Sequence, residues 1–519
     1  MEDTKKVVYY KDFGAVGDGA AEDFPAIVRC HEYANAHGCT VKADPGATYY
    51  IGETGGVSAV VQTDVDWGDA TFIIDDRHIV PASPSRSANI FRVLRTYAPI
   101  EHDENSDFVR AINEKGGITA ATTTNIGYAP GHPSLLILTD LEHSAYIRWG
   151  VHATGRPNPQ TELTVVDAEG NIDPKTAFLL DYSHVSSIRE FRIDDEPITL
   201  ENGRFITRSN AAPPVYTSYG RGISFERSNV TIRNTIHEIT DEGESGAPYG
   251  GFIRWHGLDN LRCEHLTLSS HKSYRDYNPD GSVHSVMGTY DVGGSHATNV
   301  CFYDCHQCNF YKDEANRVAY NERDRWGIMG TNYCKNLIYD HCTLSRLDAH
   351  AGVYNVEIRD TTISYIKLTG GGRAVIENST IIAPEALNTP LFELRSDYGS
   401  TWRGEVLIRN CEFVNRQDAT PFLASASWHN WSFGYTTYLP NITVDNLTVA
   451  HPGEKIYAFT GLTSDTEETI DCPTLRDGGE NKNPMVIAAT VSVRNNAGGY
   501  AYAGSTNPYV NGKVIIKEG

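Results

Sequence analysis

A chain of 519 residues with 40% hydrophobic and 21% charged residues has the make-up of a globular protein, long enough for two or three domains. Its net charge of −22 argues against general binding to nucleic acid or to anionic membranes. No apolar run is long enough to span a membrane, and MEDTKKVVYYKDFG lacks the apolar stretch of a signal peptide, so localisation is left open between the cytoplasm and secretion after removal of a leader.

In chain order, YYKDFGAVGDGAA at residues 9–21 places glycines at 14, 17 and 19, where tight turns are cheap. DFPAIVRCHEYANA, from Asp23 to Ala36, predicts an amphipathic helix. Asp23 serves as N-cap, Pro25 sits early, Ile27, Val28, His31 and Ala34 share one face, and Gly38 ends it. TVKADPGATYYIG and VVQTDVDWGDATFIID then read as two strand pairs, completing a first segment, 1–75, of an N-terminal cap and the first rungs of a stack. Residues 76–183 hold strand-like runs joined by Gly, Pro and Asn turns, and predict a small antiparallel β insertion.

From 184 to 451 one unit recurs. It has a leading Asn, apolar residues one and three later, a polar turn residue at the fifth place, and small or apolar residues after it. NVTIRNTIH at Asn229, NLRCEHLTL at Asn260, NVCFYDCHQ at Asn299, NLIYDHCTL at Asn336, NVEIRDTTI at Asn355 and NITVDNLTV at Asn441 fit it. RAVIENSTI at Arg373 and EVLIRNCEF at Glu405 fit without the Asn. Two short strands about a polar kink, repeated, form the rung of a solenoid: a rung cannot bury its apolar face alone, but stacked rungs can. The alternation inside each copy is that of a strand. The helix at Asp23 would then cover the first open rung. Residues 452–519 look like closing strands over the far end.

Cys305, Cys342 and Cys411 share the inward sixth place and predict a column of buried thiols, although adjacent rungs would bring Cys305 and Cys342 within reach of a disulfide. The fifth-place residues Asp304, His341, Asp360, Asn378, Asn410 and Asn446 predict a structural turn ladder.

DFGAVGDG, a helix and DPGATYYIG, followed by such rungs, resemble the pectate-lyase-like right-handed parallel β-helix superfamily. That superfamily includes polygalacturonase-type hydrolases, alginate lyases and C5-epimerases, and phage tailspike depolymerases. The resemblance implies an all-β solenoid with an N-terminal capping helix, and a polysaccharide or oligosaccharide partner. It leaves the reaction open. Its tailspike members imply a homotrimer and many of its hydrolases a monomer.

Counting back from the leading residues, Asp291, Asp348 and Asp397 fall on alternate rungs, with Ile328/Met329 and Tyr365/Ile366 between them. Alternate rungs are roughly 10 Å apart, and side-chain reach shortens this toward the roughly 6.5–9.5 Å of an inverting glycoside hydrolase. The plainer reading is surface aspartates that cap turns. Around them stand Arg346, His350, Arg395, Tyr398, Tyr290, Arg325, Trp326 and Trp402: aromatic faces for sugar rings and guanidinium forks for carboxylate or sulfate. Between Arg317 and Asn410 basic and acidic residues balance at 11 each, while the whole chain carries −22, which points to an anionic glycan.

A second chemistry uses the same residues. Leu347-Asp348-Ala349-His350 is similar to the F-D-P-H element of mannuronan C5-epimerases, which implies roles for Asp348 and His350 near a uronate C5 proton. Ser345, Ala349 and Ala351 replace that element's Tyr, Pro and Glu, so a catalytic Tyr would have to be Tyr290 or Tyr398. The expectation is thus a glycoside hydrolase, with a uronate lyase or epimerase as one alternative and a non-catalytic glycan-binding protein as another. The polygalacturonase motifs are missing, and GGSHATN at 293–299 is only an echo of one. No clear acidic cluster calls for Ca2+ or another cofactor, and no P-loop, G-x-S-x-G or H-E-x-x-H is present.

Overall fold

The computed structural model describes the chain except residues 1–5, 147–157, 211–218, 242–248, 270–273, 278, 281–282, 288–289, 308–309, 313–317, 321–327, 384–388, 396–397, 399, 427–436, 462–484, 487–488 and 508–510. Its backbone is a right-handed parallel β-helix: 31 strands join one continuous sheet in which each strand pairs, in parallel, with the next copy of itself along the stack.

All eight copies of the unit stack in the expected register. Val230 lies opposite Leu261, then Val300, Leu337, Val356, Ala374, Val406 and Ile442 in turn. The column is longer at both ends than the unit predicts. Ile198 precedes Val230, and beside it Val8, Val41, Val65 and Leu200 lead in line to Ile232; Val491 follows Ile442. The closing strands at the C-terminus are therefore further rungs, with Ala489–Arg494 and Val514–Glu518 paired in parallel. Inward side chains of the rungs merge into one apolar core from Val8 to Val514.

The leading asparagines explain themselves here. Asn229, Asn260, Asn299, Asn336 and Asn355 all have φ between 54° and 61°. The chain turns a corner between two sheets at each of them, and Asn tolerates the left-handed region better than most residues. Three of the amides also donate to the asparagine of the copy before: Asn260 to Asn229 (2.9 Å), Asn336 to Asn299 (2.9 Å) and Asn355 to Asn336 (3.0 Å), while Asn299 donates to Asp259 (2.7 Å). Cys305, Cys342 and Cys411 are buried free thiols, and the Cys305 and Cys342 thiols donate to main-chain carbonyls of Cys263 and Phe302.

The capping helix runs Phe24–His37 and ends at Gly38 in the left-handed region (φ 65°). Asp23 does not cap it through its side chain. Its buried carboxylate instead accepts the amides of Val16, Gly17 and Tyr50, tying the glycine-rich turn and a strand to the helix start.

The insertion has its own four-stranded sheet, built from Ile100–His102, Ser134–Tyr146, Asn158–Val166 and Ser187–Arg192, and a helix, Asp107–Glu114. Its limits differ from 76–183. Phe91–Leu94 pairs with the stack, and Ser187–Arg192 belongs to the inserted sheet. Along Ser134–Tyr146 alternate residues serve two cores: Leu136 and Leu138 pack under the insertion's helix, Leu135 and Ile137 with Phe191 and Tyr333 of the stack. A buried ion pair pins the two parts together. Lys335 donates to Glu162 at 2.6 Å and to the carbonyls of Thr176 and Ala177, while Glu162 also accepts the amides of Leu179 and Leu180.

Candidate active site

The strand Thr343–Ala351 is buried along nearly its whole length. It carries Arg346, Asp348 and His350, whose side chains alternate with apolar Leu347 and Ala349 in the core. Asp348 is 1% exposed and is held on three sides: by Arg346, by Arg395 (Nη1–Oδ1 2.5 Å) and by His350 (Nε2–Oδ2 3.2 Å). Burial by itself pushes the Asp348 carboxyl up, but the Arg346 and Arg395 charges, with His350, more than reverse this and hold it well below the usual carboxylate range. Burial is also the main influence on His350 and lowers it below its ordinary 6.5, against the pull of Asp348 and with the help of the two arginines.

Those two directions fix the tautomer. An ionised carboxylate can only accept, so Nε2 of a neutral His350 carries the proton toward Asp348 and Nδ1 keeps a lone pair. Nδ1 has no hydrogen-bond partner among the described residues. His350 borders a groove of about 470 Å³, within the roughly 300–1,000 Å³ of ligand sites, shared with Tyr290, Arg254, His256, Ser295 and Asn332. Two tyrosines flank the imidazole. Tyr290 meets it edge-on with ring centres 5.9 Å apart, and Tyr398 lies nearly parallel at 6.4 Å. Gly294 in the groove wall is held to glycine by its neighbour: a Cβ there would come within 2.1 Å of the buried Trp255 ring.

The register of the carboxylates differs from the expected one. Asp291 and Asp348 do lie two rungs apart, but Asp291 falls at a register shift between Tyr290 and Val292, so that Gly293, through Gly330, is the residue in line with Asp348. The Asp348 column continues through Lys367 to Glu393, which form their own ion pair at 3.0 Å. Tyr365 and Ile366 lie opposite Arg346 and Leu347. Asp291 is fully buried and accepts from Gln307 at 2.6 Å, and Gln307 in turn accepts the Ser345 amide at 2.8 Å. Neither carboxylate faces the groove, as an acid or water-activating base must.

Among the other expected residues, Trp402 is in the core with no exposure and cannot stack on a sugar; it starts the strand Trp402–Val414 opposite Gly370. Tyr398 is buried too, packed with Ala351 beside Ala145 of the insertion. Asp397, Arg325 and Trp326 lie outside the described residues. Sequence reasoning missed Arg254 and His256. They stand in the stretch before Asn260 that corresponds to the one holding Asp291, and that correspondence was the available signal. Arg254 has no carboxylate partner among the described residues, whereas nearby Glu226 is taken by Arg92 at 2.5 Å. Burial, with Arg189 and Arg95, lowers His256 as well.

Two groups of described side chains are close enough to hold a metal ion, Asp140–Glu142–His184 and Asp340–His341–Asp360, and neither borders this groove.

No known family profile and no curated protein matches the chain. Solved structures with a similar course include the tailspike gp61 of Pseudomonas phage phi297 (13% identity, 97% of this chain and 81% of that one, TM-score 0.41). Others are the gp54 tailspike of Acinetobacter baumannii bacteriophage AP22 in complex with a capsular saccharide (9%, 98% and 76%, 0.43) and the A-module of Azotobacter vinelandii mannuronan C-5 epimerase AlgE4 (10%, 85% and 95%, 0.30). The architecture expected from the opening motif and the rungs is the one the hydrogen-bond ladder builds: the chain is a right-handed parallel β-helix protein.

Proposed function

We propose that the groove at His350 processes an anionic, uronate-containing glycan by removing the proton next to its carboxylate, leading to elimination or epimerisation. The observation that carries this reading is a neutral imidazole facing the groove, keyed by an aspartate that two arginines keep ionised. This is a base positioned by its neighbours, not a carboxyl pair.

In this reading His350 Nδ1 takes the C5 proton, and Asp348 stabilises the imidazolium that forms. Arg254 pairs with the substrate carboxylate, where negative charge builds as the proton leaves. For elimination, the C5–H electron pair becomes the C4=C5 double bond, the C4–O bond breaks, and Tyr290 gives its hydroxyl proton to the leaving oxygen. For epimerisation, Tyr290 returns a proton to C5 on the opposite face instead.

The test is to incubate acidic and neutral polysaccharides with the protein. Reducing ends, ultraviolet absorbance of the unsaturated uronate, and deuterium uptake at C5 in heavy water would each be followed. Absorbance with reducing ends supports elimination, and deuterium uptake without new ends supports epimerisation. New reducing ends with neither absorbance nor uptake would mean hydrolysis and sink the proposal.

A further inference from the structure

We infer that the exposed turn ladder carries a site for one divalent first-row transition ion, with Asp340, His341 and Asp360 as its protein ligands. The fifth-place residues stack in the order Asn234, His265, Asp304, His341, Asp360, Asn378, Asn410 and Asn446, all with positive φ. Asparagine is the residue this corner favours. Where it is used, amide bonds to amide, Asn410 to Asn378 at 3.2 Å and Asn446 to Asn410 at 3.0 Å. Four successive rungs depart from that pattern, and they alternate imidazole and carboxylate.

Part of this alternation is an ordinary hydrogen-bond chain. His265 Nδ1 meets Asp304 at 2.7 Å, and His306 meets the other Asp304 oxygen at 3.0 Å. The last two members are different. His341 Nδ1 lies 2.6 Å from Asp340 of its own rung, and the Asp360 carboxylate has no hydrogen-bond or ion-pair partner among the described residues. Arg359, which lies opposite Asp340, is turned away to Glu357. Ligand atoms of Asp340, His341 and Asp360 all fall within 4.8 Å of one another, on side chains with room to move. Two negative carboxylates facing one imidazole, with no cation among them, form a cation-attracting site.

The donor set selects the ion. A ring nitrogen with two carboxylates suits Zn2+ and its neighbours, whereas Ca2+ and Mg2+ take oxygen alone. Water would complete the shell. Because His341 and Asp360 belong to adjacent rungs, the ion would tie two rungs together outside their hydrogen-bond ladder.

The corner itself supplies the right substitution. His341→Asn with Asp360→Asn restores the residue used at Asn378, Asn410 and Asn446, so the turn is kept while the ligands go. The full chain, stripped with chelator, would be titrated with ZnCl2 by calorimetry and its melting followed with and without the ion. We expect one equivalent bound, a rise in melting temperature, and binding at least ten-fold weaker in the double variant, whose melting without metal stays near the parent's. Glu142→Gln should leave the binding unchanged. Absence of saturable binding would overturn the inference. So would full binding in the double variant, or a loss confined to Glu142→Gln, which would move the ion to Asp140, Glu142 and His184.

Discussion

At the scale of single residues, the proposed reaction gives Asp348 and His350 different parts. Replacing Asp348 by Asn removes the buried carboxylate that Arg346 and Arg395 both hold, a change that costs about 3–5 kcal/mol when one side of a buried pair is removed. Asp348→Asn should therefore lower the melting temperature as well as abolish turnover. His350→Gln removes the base but no charge that others depend on. Its turnover should fall about 10²–10⁴-fold while melting shifts little. The pH dependence follows from the lowered pKa of His350. A histidine that resists protonation when folded contributes its stability fully above 6.5 and loses it as pH falls toward the folded value. The base also stays active below 6.5, so the acid limb of kcat/KM should lie below pH 6.5; an acid limb above it would rule out His350 as the base. That Arg346, Asp348 and His350 come together was legible in the sequence because alternate places of one strand share a side. Arg254 was not, since an arginine at an outward strand place reads as a solvated side chain until the neighbouring rungs show that it borders a groove.

At the scale of elements, the insertion is held by a contact that no local pattern announces. Lys335 lies in the stack and Glu162 in the inserted sheet, far apart in sequence, and both are fully buried. Burial pushes Glu162 up and Lys335 down, so each is charged only because of the other and its carbonyl or amide partners. Glu162→Gln should cost about 3–5 kcal/mol and loosen the insertion first, seen as faster hydrogen exchange in Ser134–Tyr146. Lys335→Met with Glu162→Leu should recover most of the loss. Rung periodicity was readable because strand alternation and the corner asparagine repeat. The register near Asp291 was not, because a single extra residue between Tyr290 and Val292 moves everything after it by one place. Trp402 was misplaced for a related reason: its strand begins before the repeating unit does, so a core residue looked like part of a loop.

At the scale of the whole molecule, one core runs the length of the stack, and its ends are where acid should act first. His31 lies on the buried face of the capping helix with no exposure, against the Tyr10 hydroxyl at 3.0 Å, and burial lowers it to about 3. Its folded pKa is depressed, so its contribution is complete above 6.5 and disappears as pH falls toward 3, by roughly 1.4 kcal/mol for each unit of the difference. Acid unfolding should start at the N-terminal end, and His31→Gln, if it folds, should flatten the pH dependence of melting between 6.5 and 3. The overall fold was legible because a stack repeats one short sentence of sequence. The first rungs were readable from the opening motif, but the last were not, since Ala489–Arg494 and Val514–Glu518 lack the corner asparagine by which the others were aligned and so looked like closing strands.

The pairing of Leu337 with Val356 and of Val356 with Ala374 has a consequence for how such a chain changes over generations. Residues 355–371 are one bare turn of the coil, from the corner at Asn355 to the corner at Gly372, both in the left-handed region. Excising them in frame would bring Ala374 against Leu337 with every inward side chain still inward. The groove, however, would face the turn carrying Glu393 and Arg395 where Lys367 had been. Loss or duplication of a single turn is thus a mutation that spares the architecture and rewrites the specificity in one step.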